Sequence, residues 1–119
     1  RGNPHALDVP AGSVLGGNDD QIRADCSRLG QVTNTGCVGS PGNDIYVNAD
    51  RDPAAIAWTI IHEYQHVVGR GSAAGSENCA VRRAGYFFRG LSPETRNAAA
   101  SSQWPASGTL AGTARTCGF

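Results

Sequence analysis

The 119-residue sequence contains no methionine and no lysine. Without a methionine there is no initiator, so a processed or trimmed chain is expected, with any targeting segment missing from view. Without lysine the basic groups are 10 arginines, and 10 carboxylates balance them to a formal net charge of zero. No run of like charge and no basic stripe occurs, which leaves no electrostatic basis for binding nucleic acid or a membrane surface. No stretch approaches the roughly eighteen consecutive apolar residues of a transmembrane helix. None of the 4 cysteines stands in a CxxC pair, which argues against a structural zinc knuckle. Internal repeats and low-complexity tracts are also absent. The length permits one modest core, so residues 1–119 are read as a single domain and a monomer is expected.

Cys26, Cys37, Cys79 and Cys117 make an even number in a short chain with 16 glycines, a pattern that points to disulfides and hence to secretion. Sequence leaves three pairings open. Cys26–Cys37 with Cys79–Cys117 is preferred, because the first closes a short local loop and the second anchors the tail.

Histidine and glutamate are scarce too, at three residues each, yet two histidines and one glutamate fall within His62-Glu63-Tyr64-Gln65-His66. Around this HExxH sequence Asp52 offers an N-cap, Pro53 a first helical position and Gly69 a stop, which predicts a helix over Pro53–Val68. On its wheel His62, His66, Thr59 and Ala55 share one face, while Ile56, Ile60, Tyr64, Val67 and Val68 lie largely opposite. Two imidazoles one turn apart can grip one zinc ion, and the carboxylate of Glu63 can then serve a zinc-activated water as general base.

Other elements are expected around this helix. Asp19–Leu29 reads as a short helix ended by Gly30, after an extended start through Pro10. Gln31–Val38, broken at Gly36, reads as a weak strand or irregular hairpin, and Asp44–Asn48 as the best strand. A glycine-rich loop, Gly69–Gly75, leads to a helix from about Ser76 to Phe88, and Ser92-Pro93-Glu94 opens a further helix. The remainder reads as loop held at Cys117.

A catalytic zinc takes three protein ligands and leaves one position open. Downstream of His66 the only carboxylates are Glu77 and Glu94. Glu77, near the start of the next helix, is the preferred third ligand. Glu94 suits a first helical turn for its own sake, and His5 and Asp8 are further candidates from the N-terminal arm.

The His62–His66 segment resembles the zincin metallopeptidases, and Glu77-Asn78-Cys79-Ala80 on a following helix is similar to the glutamate-bearing second helix of the gluzincin branch. The resemblance runs from Asp44 to Ala80. It implies zinc held by His62, His66 and Glu77, with Glu63 as general base, in a compact α+β domain. A small twisted sheet would pack on the motif helix and a glutamate helix would close the site. The His66-to-Glu77 interval is shorter than in thermolysin-like enzymes, and Val81 stands where many gluzincins carry an acidic partner. Gly69 fits the extended motif of metzincins and snapalysins, but Ser72 occupies the place of their third ligand and a chain without methionine has no Met-turn. Small size, disulfides and expected secretion resemble the small actinobacterial extracellular proteases.

The expected function is that of a secreted zinc metalloendopeptidase acting on a peptide or protein. By the resemblance, substrate lies along an edge strand, with Asp44–Asn48 the candidate. Tyr46, Tyr86 and His5 are candidate oxyanion donors, and Arg82 and Arg83 either steer a substrate carboxylate or form a solvated helix face. The alternative is a disulfide-stabilised zinc-binding, inhibitor or interaction module without catalysis. Against a purely structural site stands Glu63, for which such a site has no use.

Overall fold

The computed structural model describes residues 12–39, 42–100 and 117–118. Along the chain run β1 (Val14–Gly17), α1 (Asp19–Arg28), β2 (Gly36–Val38), β3 (Ile45–Asn48), α2 (Pro53–Val68), a 3-10 turn at Ala73–Gly75, α3 (Glu77–Phe88) and α4 (Pro93–Ala100). This is the expected α+β architecture. The extended start through Pro10 and the loop preceding Cys117 lie outside the described residues.

Local chemistry sets the helix ends. Asn18 and Gln21 form a reciprocal capping box at the start of α1, each side chain accepting from the other's backbone N–H at 2.9 and 2.8 Å. At its C-terminus Gly30 adopts φ 78°, its N–H reaches Ser27 O at 3.0 Å and the Gln31 N–H reaches Cys26 O at 2.9 Å. That pair of bonds is a Schellman motif, which ends the helix one residue before the expected Leu29 and fixes the backbone of Gln31. In α2 the Asp52 carboxylate accepts from Ala54 N–H at 2.9 Å, Pro53 leads the first turn and Gly69 closes the last, matching the expected bounds.

The sheet has the order β1-β3-β2, with β1 parallel and β2 antiparallel to β3. Alternation along β3 divides its side chains between two faces. Tyr46 joins Ile22 and Cys26 of α1 and Cys37 of β2, whereas Ile45 packs with Val67, Tyr64 and Val38 on the α2 side. Beyond α2 lies a third cluster, in which Trp58 meets Ala84 and Phe88 of α3 and Ala99 of α4. The helix α2 is therefore covered on both sides, by the sheet and by α3 with α4.

Three expectations change. β1, which no sequence signal marked, lies at a sheet edge with mostly exposed side chains and so carries no apolar alternation. Gly36 opens β2 instead of breaking it. A Cβ there would lie 2.4 Å from Thr59 Cγ2 and 2.9 Å from Tyr46 O, so glycine is what allows α2 to lie this close to the strand. On α2 the burial falls on Trp58 and Val67, with Ile56 and Ile60 half-buried and Val68 exposed, because the helix is packed on two sides and has no single apolar back.

Both disulfides have the preferred connectivity, Cys26–Cys37 and Cys79–Cys117. The first joins α1 to β2, and the second ties the first turn of α3 to the tail. No helix among the described residues is long and apolar enough to cross a membrane.

Candidate metal centre

The four-residue spacing of His62 and His66 puts both rings on one side of α2, with centroids 5.2 Å apart. What brings a third ligand to them is the crossing of two glycines. A Cβ on Gly69 would sit 2.2 Å from Ala74 C and Gly75 N, and one on Gly75 would sit 2.5 Å from Gly69 O. The chain thus returns past the end of α2 in backbone contact. The buried amide of Gln65 fastens this return, donating to Ala74 O and Cys117 O at 2.7 Å each and accepting from Arg83 Nη1 at 2.9 Å. Ser76 then caps α3, its hydroxyl accepting from Cys79 N–H at 3.2 Å, and Glu77 follows as the first helical residue.

Glu77 Oε1 lies 3.1 Å from His62 Nε2 and 3.1 Å from His66 Nε2. One ligand atom from each of the three residues falls within 4.8 Å of the others, so the group could hold a metal ion. The donor chemistry fits. His66 Nδ1–H donates to Gly75 O at 2.8 Å, which turns Nε2 toward the carboxylate oxygen. A lone pair facing a carboxylate at this distance calls for a cation or a proton between them. Tetrahedral ligands at 2.0–2.1 Å from an ion are about 3.3 Å apart, close to the two separations from Glu77 Oε1. His62 is held differently: its buried Nδ1 has no hydrogen-bond partner among the described residues, and the buried Trp58 ring stacks on it with centroids 5.0 Å apart.

The electrostatics agree with this arrangement. Hydrogen bonds from His62 and His66 hold the Glu77 carboxyl down at about 2. In return the bond to Glu77 pushes the His66 imidazole up, against the opposing effect of burial. Glu63 is buried at 8% exposure, and its Oε2 stands 3.6 Å from His62 Nε2. Burial pushes its carboxyl above the usual glutamate range, opposed by the two imidazoles. The arrangement therefore places a proton-accepting group beside a prospective metal position.

The other candidates fall elsewhere. Glu94 is exposed on α4, apart from the cluster. His5 and Asp8 lie outside the described residues. Tyr46 packs on the α1 face of the sheet, the far side from α2, and Tyr86 packs against Phe87 and Arg89. Neither lines the hollows beside the cluster. Arg83 lies over the Tyr64 and Phe87 rings, and Arg82 bonds Asn78 at 3.1 Å. The expected edge strand is corrected as well: β3 is central, paired on both sides, while β2 is the edge next to the site. Sequence reasoning missed Trp58, Gln65 and Gly75, because a buried amide or a carbonyl acceptor has no signature of its own in the sequence.

Fold and site together define a class, a disulfide-linked α+β domain with a His/His/Glu cluster that could hold a metal ion and an adjacent buried carboxylate. No family model, curated protein or solved structure matches the chain.

Proposed function

We propose that the chain is a secreted zinc metalloendopeptidase of the gluzincin type, with His62, His66 and Glu77 as ligands and Glu63 as general base. The observation that carries this reading is the Glu77 Oε1 atom poised 3.1 Å from both Nε2 atoms, with the Glu63 carboxylate buried beside them. Two nitrogens and one carboxylate oxygen are a zinc donor set of the catalytic kind, which leaves a coordination position open. When bound, the ion supplies Lewis acidity toward a water or carbonyl oxygen. Glu63 accepts a proton from the attacking water and delivers it to the leaving nitrogen. Burial raises its proton affinity, which favours taking a proton from water. Gly75 O and Trp58 hold the two imidazoles, and β2 offers an edge along which an extended peptide can lie.

Hollows of about 620 and 470 Å³ lie on either side of Glu63 and Glu77, which supports cleavage within a chain over trimming from one end. Two disulfides support an oxidising, extracellular setting. A monomer acting on peptide or protein completes the reading.

The test is metal content by mass spectrometry, followed by turnover of unfolded casein. The reading expects about one zinc per chain, by the donor count above, lost in Glu77→Ala and kept in Glu94→Ala, with casein cleavage abolished in Glu63→Ala. Zinc without cleavage would leave a disulfide-stabilised metal-binding module. No zinc, even after adding it back, would sink both.

A further inference from the structure

The two hollows beside the metal ligands have three residues in common: Glu63, Glu77 and Gln31. Of these, Gln31 alone among the described residues can donate a hydrogen bond without first gaining a proton. It comes from the opposite wall, the loop between α1 and β2. The other donors Thr33, Thr35, Arg51, Thr59 and Asn97 line one hollow only, and Arg70 and Ser72 the other only. An amide that lines both hollows borders the space a peptide spanning them would fill.

Two features preorganise this residue. Its backbone N–H is the closing bond of the Schellman motif, to Cys26 O at 2.9 Å, and Cys26 is itself bonded to Cys37 in the adjoining strand. The side-chain amide is left nearly uncommitted. Its Nε2 lies 3.5 Å from Val38 O, at the long limit of a hydrogen bond, and the side chain is exposed to the cleft. A donor fixed at the backbone and free at its tip meets the requirement for stabilising charge that develops only in the transition state.

We propose that Gln31 is the oxyanion-stabilising residue of this site, its side-chain N–H donating to the carbonyl oxygen of the scissile peptide as negative charge builds there. This rests on the hydrolase reading above. In the step it serves, a water oxygen bonds to the carbonyl carbon and its proton passes to Glu63. The C–N bond then breaks, and Glu63 gives that proton to the leaving nitrogen. Gln31 transfers no proton. It takes the place that the sequence offered to Tyr46, Tyr86 and His5.

The test uses the full, zinc-loaded chain with Gln31→Met, which keeps the shape of the side chain and removes the donor, alongside Gln31→Ala. On a casein-derived peptide, kcat falls about a hundredfold in both variants, with KM and zinc content unchanged. A phosphinic analogue of that peptide loses affinity by the same factor. In a Glu63→Gln background, which binds peptide without cleaving it, Gln31→Met leaves peptide affinity unaltered. Unchanged kcat in an active protein, or an equal loss of affinity for peptide and analogue, would overturn the role of Gln31 alone. A wild-type chain that holds zinc and cleaves no peptide would remove the hydrolase reading, and this inference with it.

Discussion

Glu63 is costly to keep charged where it stands. Burial pushes its carboxyl above the usual range, so the charged form is less favourable in the folded state than in the unfolded chain. Replacing it with the isosteric glutamine removes that cost and the general base together. Glu63→Gln is expected to raise the Tm of the metal-free protein at pH 7, to retain zinc, and to lower kcat by roughly 10²–10⁴-fold. Calorimetry and peptide turnover check the two effects, and a lower Tm with full activity would show that Glu63 serves packing alone. The pair His66 and Glu77 gives a second expectation at this scale. The His66 pKa is raised in the fold from 6.5, so its contribution to metal-free stability is full below 6.5 and is lost as pH rises through the raised value. Glu77 is lowered from 4.5 to about 2, so its contribution is present above 4.5 and lost as pH falls toward 2. The pair therefore stabilises the metal-free protein most between 4.5 and 6.5. Metal requires the His66 proton to leave, so metal affinity is expected to weaken as pH falls through the raised His66 value, above the range of a free imidazole. Titration calorimetry across pH checks it. In Glu77→Gln the His66 midpoint, followed by NMR, moves back down.

At the scale of elements, the site depends on one close crossing. Gly69 and Gly75 touch backbone to backbone, and Gly75 both accepts the His66 proton donor and precedes Glu77 by two residues. An alanine at either position has no space, whatever its backbone preference. Gly75→Ala is expected to displace the turn from α2, lengthen the His66–Gly75 bond and cost metal affinity by about 10–100-fold, the range for an outer-sphere partner of a ligating histidine. Competition against a zinc chelator measures it, and an unchanged affinity would mean the crossing does not position Glu77. The same scale explains what could be read beforehand. α2 was legible to the residue because Asp52, Pro53 and Gly69 are local signals, and Ser76 likewise marked α3. That His62, His66 and Glu77 come together as a group that could hold a metal ion followed from the spacing of the two histidines and the scarcity of carboxylates after them. β1 was hidden because an exposed edge strand containing Gly16 and Gly17 has neither propensity nor alternation, and its pairing partner β3 begins 28 residues later. Gly36 misled for a related reason: its role is set by Thr59, a contact across the fold. Trp58 and Gln65 are decided by tertiary packing on both sides of α2, which no helical wheel contains.

For the whole molecule, the two disulfides divide the work of holding these small clusters together, and they divide it unequally with respect to the metal ligands. Among the described residues, three separate apolar clusters of a few buried residues each make a thin core. Cys26–Cys37 closes a separation of 11 residues and Cys79–Cys117 one of 38, which by loop-closure entropy are worth about 3 and about 4 kcal/mol respectively. The longer one also carries geometry. Cys79 stands two residues after Glu77, and the Cys117 carbonyl is held by Gln65 Nε2, so this bond clamps the start of α3 to the last turn of α2. Removing it should loosen Glu77 as well as the fold, whereas removing Cys26–Cys37 should loosen α1 and β2 and leave the three ligands in place. A Cys79→Ala, Cys117→Ala double variant is therefore expected to lose stability and zinc affinity together, and a Cys26→Ala, Cys37→Ala double variant stability alone. Denaturant titration with and without zinc separates the two. Saturating zinc at a hundred times its Kd adds about 2.7 kcal/mol to any variant that still binds it, so the second double variant should show the full increment at the wild-type zinc concentration and the first only a fraction. Equal increments in both would mean that α2, α3 and the glycine crossing hold the ligands without covalent help, and that the longer disulfide acts on the unfolded chain only.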